Sequence, residues 1–554
     1  MTGTTARLGA RDLIVTVLDD GSWESWDEPA APLAQDDPRY AAELAAAAAV
    51  AGTDESVLTG SGRIRGIPVA LIVGEFAFLA GSIGRSAAER VVRAFERAGA
   101  ERLPLLAAPV SGGTRMQEGT PAFVGMVKIS AACATFKQSG LPYLVYLRNP
   151  TTGGVFASWG SLGHATAAEP GAMIGFLGPR VYEALYGQPF PEGVQTAENL
   201  YANGLLDAVL PVERLAEMAE RFLRIVGTRH TPRAVRPVAG ETGDAPVEAG
   251  DEGAAADQRA AGDEGAAADQ RAAADQAARD GARLATTPAW VSVTATRRED
   301  RPGVRALLRL GATDVVPLHG TGAGEVDRSL ILAAARFAGA SCLVLGQDRR
   351  SERLEAPLSP SGLRVARRGM RIAQDLRLPL VTVIDTAGAA LSREAEEGGM
   401  AGEIARCLSE LVMLDAVTLC VLLGQGTGGG ALALLPADRV VCAEHSWLSP
   451  LPPEGAAAIL HRDVDRAPDI AAAQRVRSGD LLADGIVDRV VPERPDAAEE
   501  PEAFCLRMAA AIDEELATLL DLDPRTRLDR RLARFRTLGL PEQAGGAQAR
   551  EGRA

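Results

Sequence analysis

Two glycine turns 41 residues apart occur in the first half of the chain and recur with the same separation in the second. The apolar run LPLLAAPV leads to Gly112 and Gly113, a helix-like stretch follows, and LPYLVYLRNP then leads to Gly153 and Gly154. Later LPLVTVIDTAG reaches Gly388 and Ala389, another helix-like stretch follows, and VTLCVLLGQGTGGG reaches Gly429 and Gly430. A third match, YANGLLDAVLP at 201–211 against LADGIVDRVVP at 482–492, falls in the same order. Such ordered matches point to two copies of one α/β unit. In each copy, strands of Leu and β-branched residues end at Gly turns that open helices.

Between the copies, residues 238–284 change character. GDEGAAADQRAA occupies 250–261 and recurs at 262–273. Short Ala, Gly, Asp, Gln and Arg repeats supply no core, so a linker is expected there. The expected division is therefore 1–237, a linker over 238–284, and 285–545. A chain of 554 residues with 47% apolar residues can bury cores of that size.

A net charge of −15 speaks against nonspecific nucleic-acid binding. The six cysteines, at 133, 342, 407, 420, 442 and 505, form no CxxC pair, so no zinc ribbon is expected and the thiols read as small buried side chains. The start MTGTTARLGARDLIVTVLDDGSWESWD lacks the basic and apolar regions of a signal peptide. The longest apolar runs, such as VTLCVLL at 417–423, are far shorter than a membrane span. A cytoplasmic protein is the expectation, with neither nucleic acid nor membrane as a partner.

A strand that ends in Gly-Gly before a helix leaves backbone N–H groups facing a cleft with no Cβ in the way. The helix dipole adds positive partial charge at the same place, so the arrangement suits an oxyanion. Four such turns suit a reaction with two enolate-like oxygens; a single one would carry little weight, because turns favour Gly in any case. Side-chain catalysts are scarce. None of His164, His230, His319, His445 or His461 sits in a nucleophile elbow or an HExxH motif, and His445 reads as packed near a strand end. Glu118, Glu396 and Glu397 read as loop or helix-start residues rather than bases. Arg115 and Arg180 suit either nucleotide phosphates or carboxylate partners.

At these turns the chain resembles a known family. SGGTRMQEG, NPTTGGVFASWG, AEPGAMIGFLGPRV and FPEGVQTAENLYANGLLDAV, within about 10–225, resemble the beta subunit of the bacterial acetyl-CoA carboxylase carboxyltransferase. From about 299 to 540, ARRGMRIAQDLRLPLVTVIDTAGA, AEEGGMAGEIARCLSELVMLD and GQGTGGGALALLPADRVV resemble its alpha subunit. The order beta then alpha is that of the fused acyl-CoA carboxylase beta chains. The chain departs from the pattern in having no N-terminal four-cysteine ribbon, in reading DTAGAALS where the alpha motif reads DTPGAYP, and in keeping only a trace of the alpha pattern before 360.

The resemblance implies an α/β fold of two tandem crotonase-like (ClpP-like) β-β-α superhelix domains. It implies transfer of a carboxyl group from carboxybiotin to acetyl-CoA or propionyl-CoA, one half cradling the CoA thioester and the other the biotin. Gly112, Gly113, Gly153 and Gly154 match the beta-type oxyanion motifs, and Gly388, Ala389, Gly429 and Gly430 the alpha-type ones. Arg115, Arg180, Gly426 and Gly428 are the residues expected to contact the CoA or biotin groups. The chain shows neither an MKM-type biotinylation site nor an ATP-grasp pattern, so a separate biotin carboxylase and a biotin carboxyl carrier protein are the expected partners. A homodimer or hexamer is the expected assembly. Two other readings of the same residues are a decarboxylase or acyl-thioester-modifying enzyme of specialised metabolism and a noncatalytic acyl-CoA-binding scaffold.

Overall fold

The computed structural model describes residues 8–29, 38–178, 182–183, 187–203, 205–227, 284, 286–322, 325–353 and 357–539. The expected linker, apart from Leu284, lies outside the described residues, and so does Arg180.

The first sheet is built from β1 (Glu24–Ser25), β2 (Val57–Ile64), β3 (Ile67–Gly74), β4 (Leu105–Ala108), β5 (Tyr143–Leu147), β7 (Ala165–Ala168) and β9 (Ala208–Val209), in that spatial order. The short strands β6 (Thr151–Thr152) and β8 (Ile174–Gly175) pair beside it. The second sheet has the order β10 (Asp314–Leu318), β11 (Leu330–Phe337), β12 (Ala340–Gln347), β13 (Leu380–Thr386), β14 (Thr418–Thr427), β15 (Arg439–Ala443), β17 (Arg489–Val491), with β16 (Trp447–Ser449) on the end of β14.

The two sheets share one topology. Each starts with antiparallel strands and continues with parallel ones. In each, a hairpin closes through a two-residue turn, at Arg65–Gly66 and at Ala338–Gly339. The parallel strands β4, β5 and β13 are buried at every position, as expected of strands covered on both faces. Helices on both sides provide that cover.

Helix α1 (Arg85–Ala100) and helix α2 (Gly119–Gln138) belong to the first half; α3 (Met400–Val412), α4 (Gly428–Leu432) and α5 (Pro524–Thr537) belong to the second. Helix α2 packs against α3 and α5, so it lies where the halves meet. The span Met116–Gln138 is long and apolar enough to cross a membrane, although polar residues such as Thr120, Lys128 and Ser130 break its apolar run in the sequence. Its most apolar stretch is 83% buried inside the protein, so it is a core helix. Lys128, buried on α2, pairs with Glu89 of α1.

Helix α5 leaves the second half and returns to the first. Arg531 donates to both Asp438 oxygens at 2.8 Å in the second half, while Arg536 reaches Glu89 at 2.9 and 3.0 Å and also pairs with Glu96 in the first. One helix therefore clamps both copies.

Candidate active site

The strand registers align the copies residue by residue. Leu105 faces Tyr143 across β4 and β5, and Leu380 faces Thr418 across β13 and β14, so equivalent residues lie 275 positions apart (105 to 380, 143 to 418). The same offset carries Thr152-Gly153-Gly154 onto Thr427-Gly428-Gly429 and Ser111-Gly112-Gly113 onto Thr386-Ala387-Gly388. Backbone conformation agrees: φ is +116° at Gly113 and +140° at Gly388, +64° at Gly153 and +62° at Gly428. These are conformations that residues with a Cβ rarely adopt.

The expected pairing of Gly112 with Gly388 and of Gly153 with Gly429 is therefore one residue out of step. In a run such as TGGG several glycines satisfy the same spacing, and only the register and the sign of φ choose among them.

The N–H groups divide into those the protein uses and those it leaves. Gly112 donates to Ala80 O at 2.9 Å, and Gly153 to Phe176 O at 3.1 Å. Gly113 donates to Ser111 Oγ at 3.0 Å, and that hydroxyl donates back to the Gly113 carbonyl at 3.2 Å. Thr386 Oγ1 makes the same two bonds to Gly388, both at 3.0 Å. The expected oxyanion roles of Gly112, Gly113, Gly153 and Gly388 are thus corrected: these residues shape the turns, and their N–H groups are already spent.

Among the described residues, no hydrogen bond engages the N–H of Thr114 or Gly154 in the first half, or of Ala389 or Gly429 in the second. These four form two equivalent pairs under the 275-residue offset. Within each half the two turns adjoin. A Cβ at Gly154 would meet Thr114 Oγ1 at 3.0 Å, and one at Gly430 would meet Ala389 N at 3.2 Å. Thr114 escaped the sequence reading because it is not a glycine.

The halves also reach into each other's turns. Phe176, whose carbonyl receives the Gly153 N–H, lays its ring beside Gly429, where a Cβ would come within 2.8 Å of it. Glu396 of the second half accepts from Phe176 N at 2.9 Å, Leu177 N at 3.1 Å and Gln195 Nε2 at 2.8 Å. Burial pushes its carboxyl above the usual range, and the three donors only partly offset this. Reciprocally, Thr120 Oγ1 at the start of α2 donates to Leu448 O at 2.9 Å and Gln474 O at 3.1 Å.

Two residues expected at the ligand are placed elsewhere. Arg115 is 1% exposed, donating to Glu55 and to Ser82 O, so it has no room for a phosphate. A buried guanidinium with two carboxylates at hand is already neutralised. Gly426 sits inside β14, where a Cβ would meet Trp447 O at 2.7 Å; it is a packing glycine. Gly428 opens α4 with only Pro450 O, at 3.5 Å, near its would-be Cβ.

Glu118 accepts from Tyr40 Oη and from the N–H of Arg85, both at 2.6 Å, so it holds the start of α1. Glu397 accepts from Asn199 at 3.1 Å and Arg393 at 3.0 Å. All six cysteines are buried, and burial pushes Cys133 and Cys420 up to about 12, which leaves them no thiolate to attack with. His445, just beyond β15, has its ring nitrogens near Ser292 Oγ at 3.3 Å and Pro495 O at 3.1 Å. The departing DTAGAALS loop is pinned: Ala390 N donates to Leu358 O at 2.8 Å, and Ser392 caps the helix that follows.

Comparison with known proteins follows the same division. Residues 5–214 match the carboxyl transferase domain family, and 268–539 match the acetyl co-enzyme A carboxylase carboxyltransferase-like family. The chain is 54% identical over 538 residues to the probable biotin-dependent acyl-coenzyme A carboxylase beta3 subunit of Mycobacterium tuberculosis, covering 97% of this chain and 99% of that one. It is 40% identical over 556 residues to the acetyl-coenzyme A carboxylase carboxyl transferase subunits beta/alpha of Parafrankia, covering 98% and 88%. The match to the transcarboxylase 12S structure covers 91% of this chain and 90% of that one, at 20% identity and a TM-score of 0.33. The two topologically identical units are the tandem crotonase-like domains expected from the resemblance, and the chain belongs to the carboxyltransferase subunits of the biotin-dependent acyl-CoA carboxylases.

Proposed function

We propose that the chain transfers a carboxyl group between carboxybiotin and a short acyl-CoA, acetyl-CoA or propionyl-CoA, with one enolate oxygen held by each half. The observation that carries this is the duplicated pair of unspent N–H groups, Thr114 with Gly154 and Ala389 with Gly429. Two donors fixed by adjoining turns lower the energy of a developing oxyanion without reorganisation during the reaction.

By resemblance, the first pair receives the thioester oxygen of the acyl-CoA and the second the ureido oxygen of biotin. When bound, carboxybiotin supplies the carboxyl group and, once that has left, a nitrogen able to take the α-proton of the acyl-CoA. The protein needs no base of its own, in keeping with Glu118, Glu396 and Glu397 being engaged in holding structure. Its work is to bind, orient and stabilise charge.

Carboxybiotin comes from a separate biotin carboxylase and biotin carboxyl carrier protein, and the chain acts as a homo-oligomer, dimer or hexamer, in the cytoplasm. The test is the reverse reaction: carboxylation of free biotin that depends on malonyl-CoA or methylmalonyl-CoA, with the purified chain. Transfer to biotin supports the reading. Loss of CO₂ from the thioester with no product on biotin would favour the decarboxylase reading, for which the substituted Ala387 in DTAGAALS is the motive.

A further inference from the structure

The pairing of β13 with β14 shifts register between Ile384 and Thr386, just before the loop that carries Ala389. On the other side of β13, which the Asp385 N–H faces, the ladder with β12 ends at Gly346 and Val383. A side chain steps in. Gln347, the last residue of β12, accepts from the Asp385 N–H through Oε1 at 3.1 Å. Its Nε2 donates to the Gly430 carbonyl in α4 at 2.7 Å. Gln347 is 1% exposed, and both ends of its amide are engaged. One residue thus braces the strand leading to Ala389 against the helix that carries Gly429.

The first half has no counterpart. Val73 faces Ala108 and Gly346 faces Val383, so Gln347 stands where the first half has Gly74. A Cβ there would lie 2.7 Å from Val110 N, which excludes a side chain.

We propose that Gln347 is a positioning residue for the second half's N–H pair, setting how that pair meets its substrate without acting on the first half's pair. The inference rests on the carboxyltransferase reading and on the assignment of biotin to the second half. The test is malonyl-CoA-dependent carboxylation of free biotin by the full chain, with each substrate varied in turn. Gln347→Met keeps the shape of the side chain and loses both hydrogen bonds. Gln347→Glu keeps the acceptor for Asp385 N–H and loses the donor to Gly430.

Displacing a preorganised group by a fraction of an ångström to 1 Å costs up to about 100-fold. The expected result is a fall of about 10-fold to 100-fold in kcat/KM for biotin in both variants, with KM for malonyl-CoA within about twofold of wild type on that scale. Values of kcat/KM for biotin within about twofold of wild type, or a loss falling on the KM for malonyl-CoA, would overturn the proposal. So would a fall in kcat with both KM values unchanged and in proportion to the folded fraction seen by thermal melting, because that is loss of folded chain. If Gln347→Met fails to fold, Gln347→Glu is read by the same criteria. A wild-type chain that carboxylates no biotin contradicts the carboxyltransferase reading itself and removes the ground of the inference.

Discussion

At Gly429 a side chain has nowhere to go: it would meet the Phe176 ring at 2.8 Å and Ile404 at 2.9 Å. Gly429→Val is expected to displace the turn and cut transfer by about 100-fold or more, the scale of a lost oxyanion donor. Steady-state assay beside thermal melting checks this. Ser111→Ala and Thr386→Val should each free the N–H of the glycine two residues on and loosen its turn. A fall in kcat of about tenfold is expected for each, smaller than for a lost donor, since the hydroxyls act through the backbone. Residue roles were only partly legible in the sequence. The spacing of the turns singled out Gly154, Ala389 and Gly429, three of the four unspent donors, but not Thr114, and it did not separate them from the glycines whose N–H groups are spent. Phe176, Gln347 and the Arg115 ion pairs are contacts between segments distant in the chain, and no local pattern marks them.

Helix α5 is the element that couples the copies most directly. Arg531 is fully buried against Asp438, so Arg531→Ala leaves a buried carboxylate with Arg527, at 3.4 Å, as its remaining ion-pair partner among the described residues. A loss of about 3–5 kcal/mol is expected from such a break, measurable by chemical denaturation. At the other end, burial raises the Glu89 carboxyl, but Lys128, Arg93 and Arg536 outweigh it and hold it down to about 2. A carboxyl depressed in the fold contributes stability above its unfolded value, and that stability is lost as pH falls toward about 2. The melting temperature should therefore drop between pH 5 and pH 3 more steeply in wild type than in Glu89→Gln, on the scale of one carboxylate's linkage. The strands were visible in the sequence because parallel strands buried on both faces are unbroken apolar runs, as in LPLVTVIDT. The return of α5 to the first half was not, because its sequence, rich in Arg, reads as an exposed helix until its acidic partners are in place.

Across the whole molecule the duplication explains the chemistry. Two copies whose Gly turns are related by a 275-residue offset, each with an equivalent pair of unspent N–H groups, suit a transfer between two substrates that each develop an enolate oxygen. The copies are alike in topology and unlike in bracing: Gln347 supports only the second, while the Arg115 ion pairs lie only beneath the first. The duplication could be read from sequence because its turns keep their spacing. Its register could not, because adjacent glycines satisfy the same count. The most direct measurement compares wild type with Gly154→Val and Gly429→Val in malonyl-CoA-dependent carboxylation of free biotin. Transfer by wild type, with at least about a 100-fold loss in either variant beyond any fall in the folded fraction seen by thermal melting, is the predicted result. Transfer that survives in either variant at the wild-type rate would contradict the requirement for both pairs.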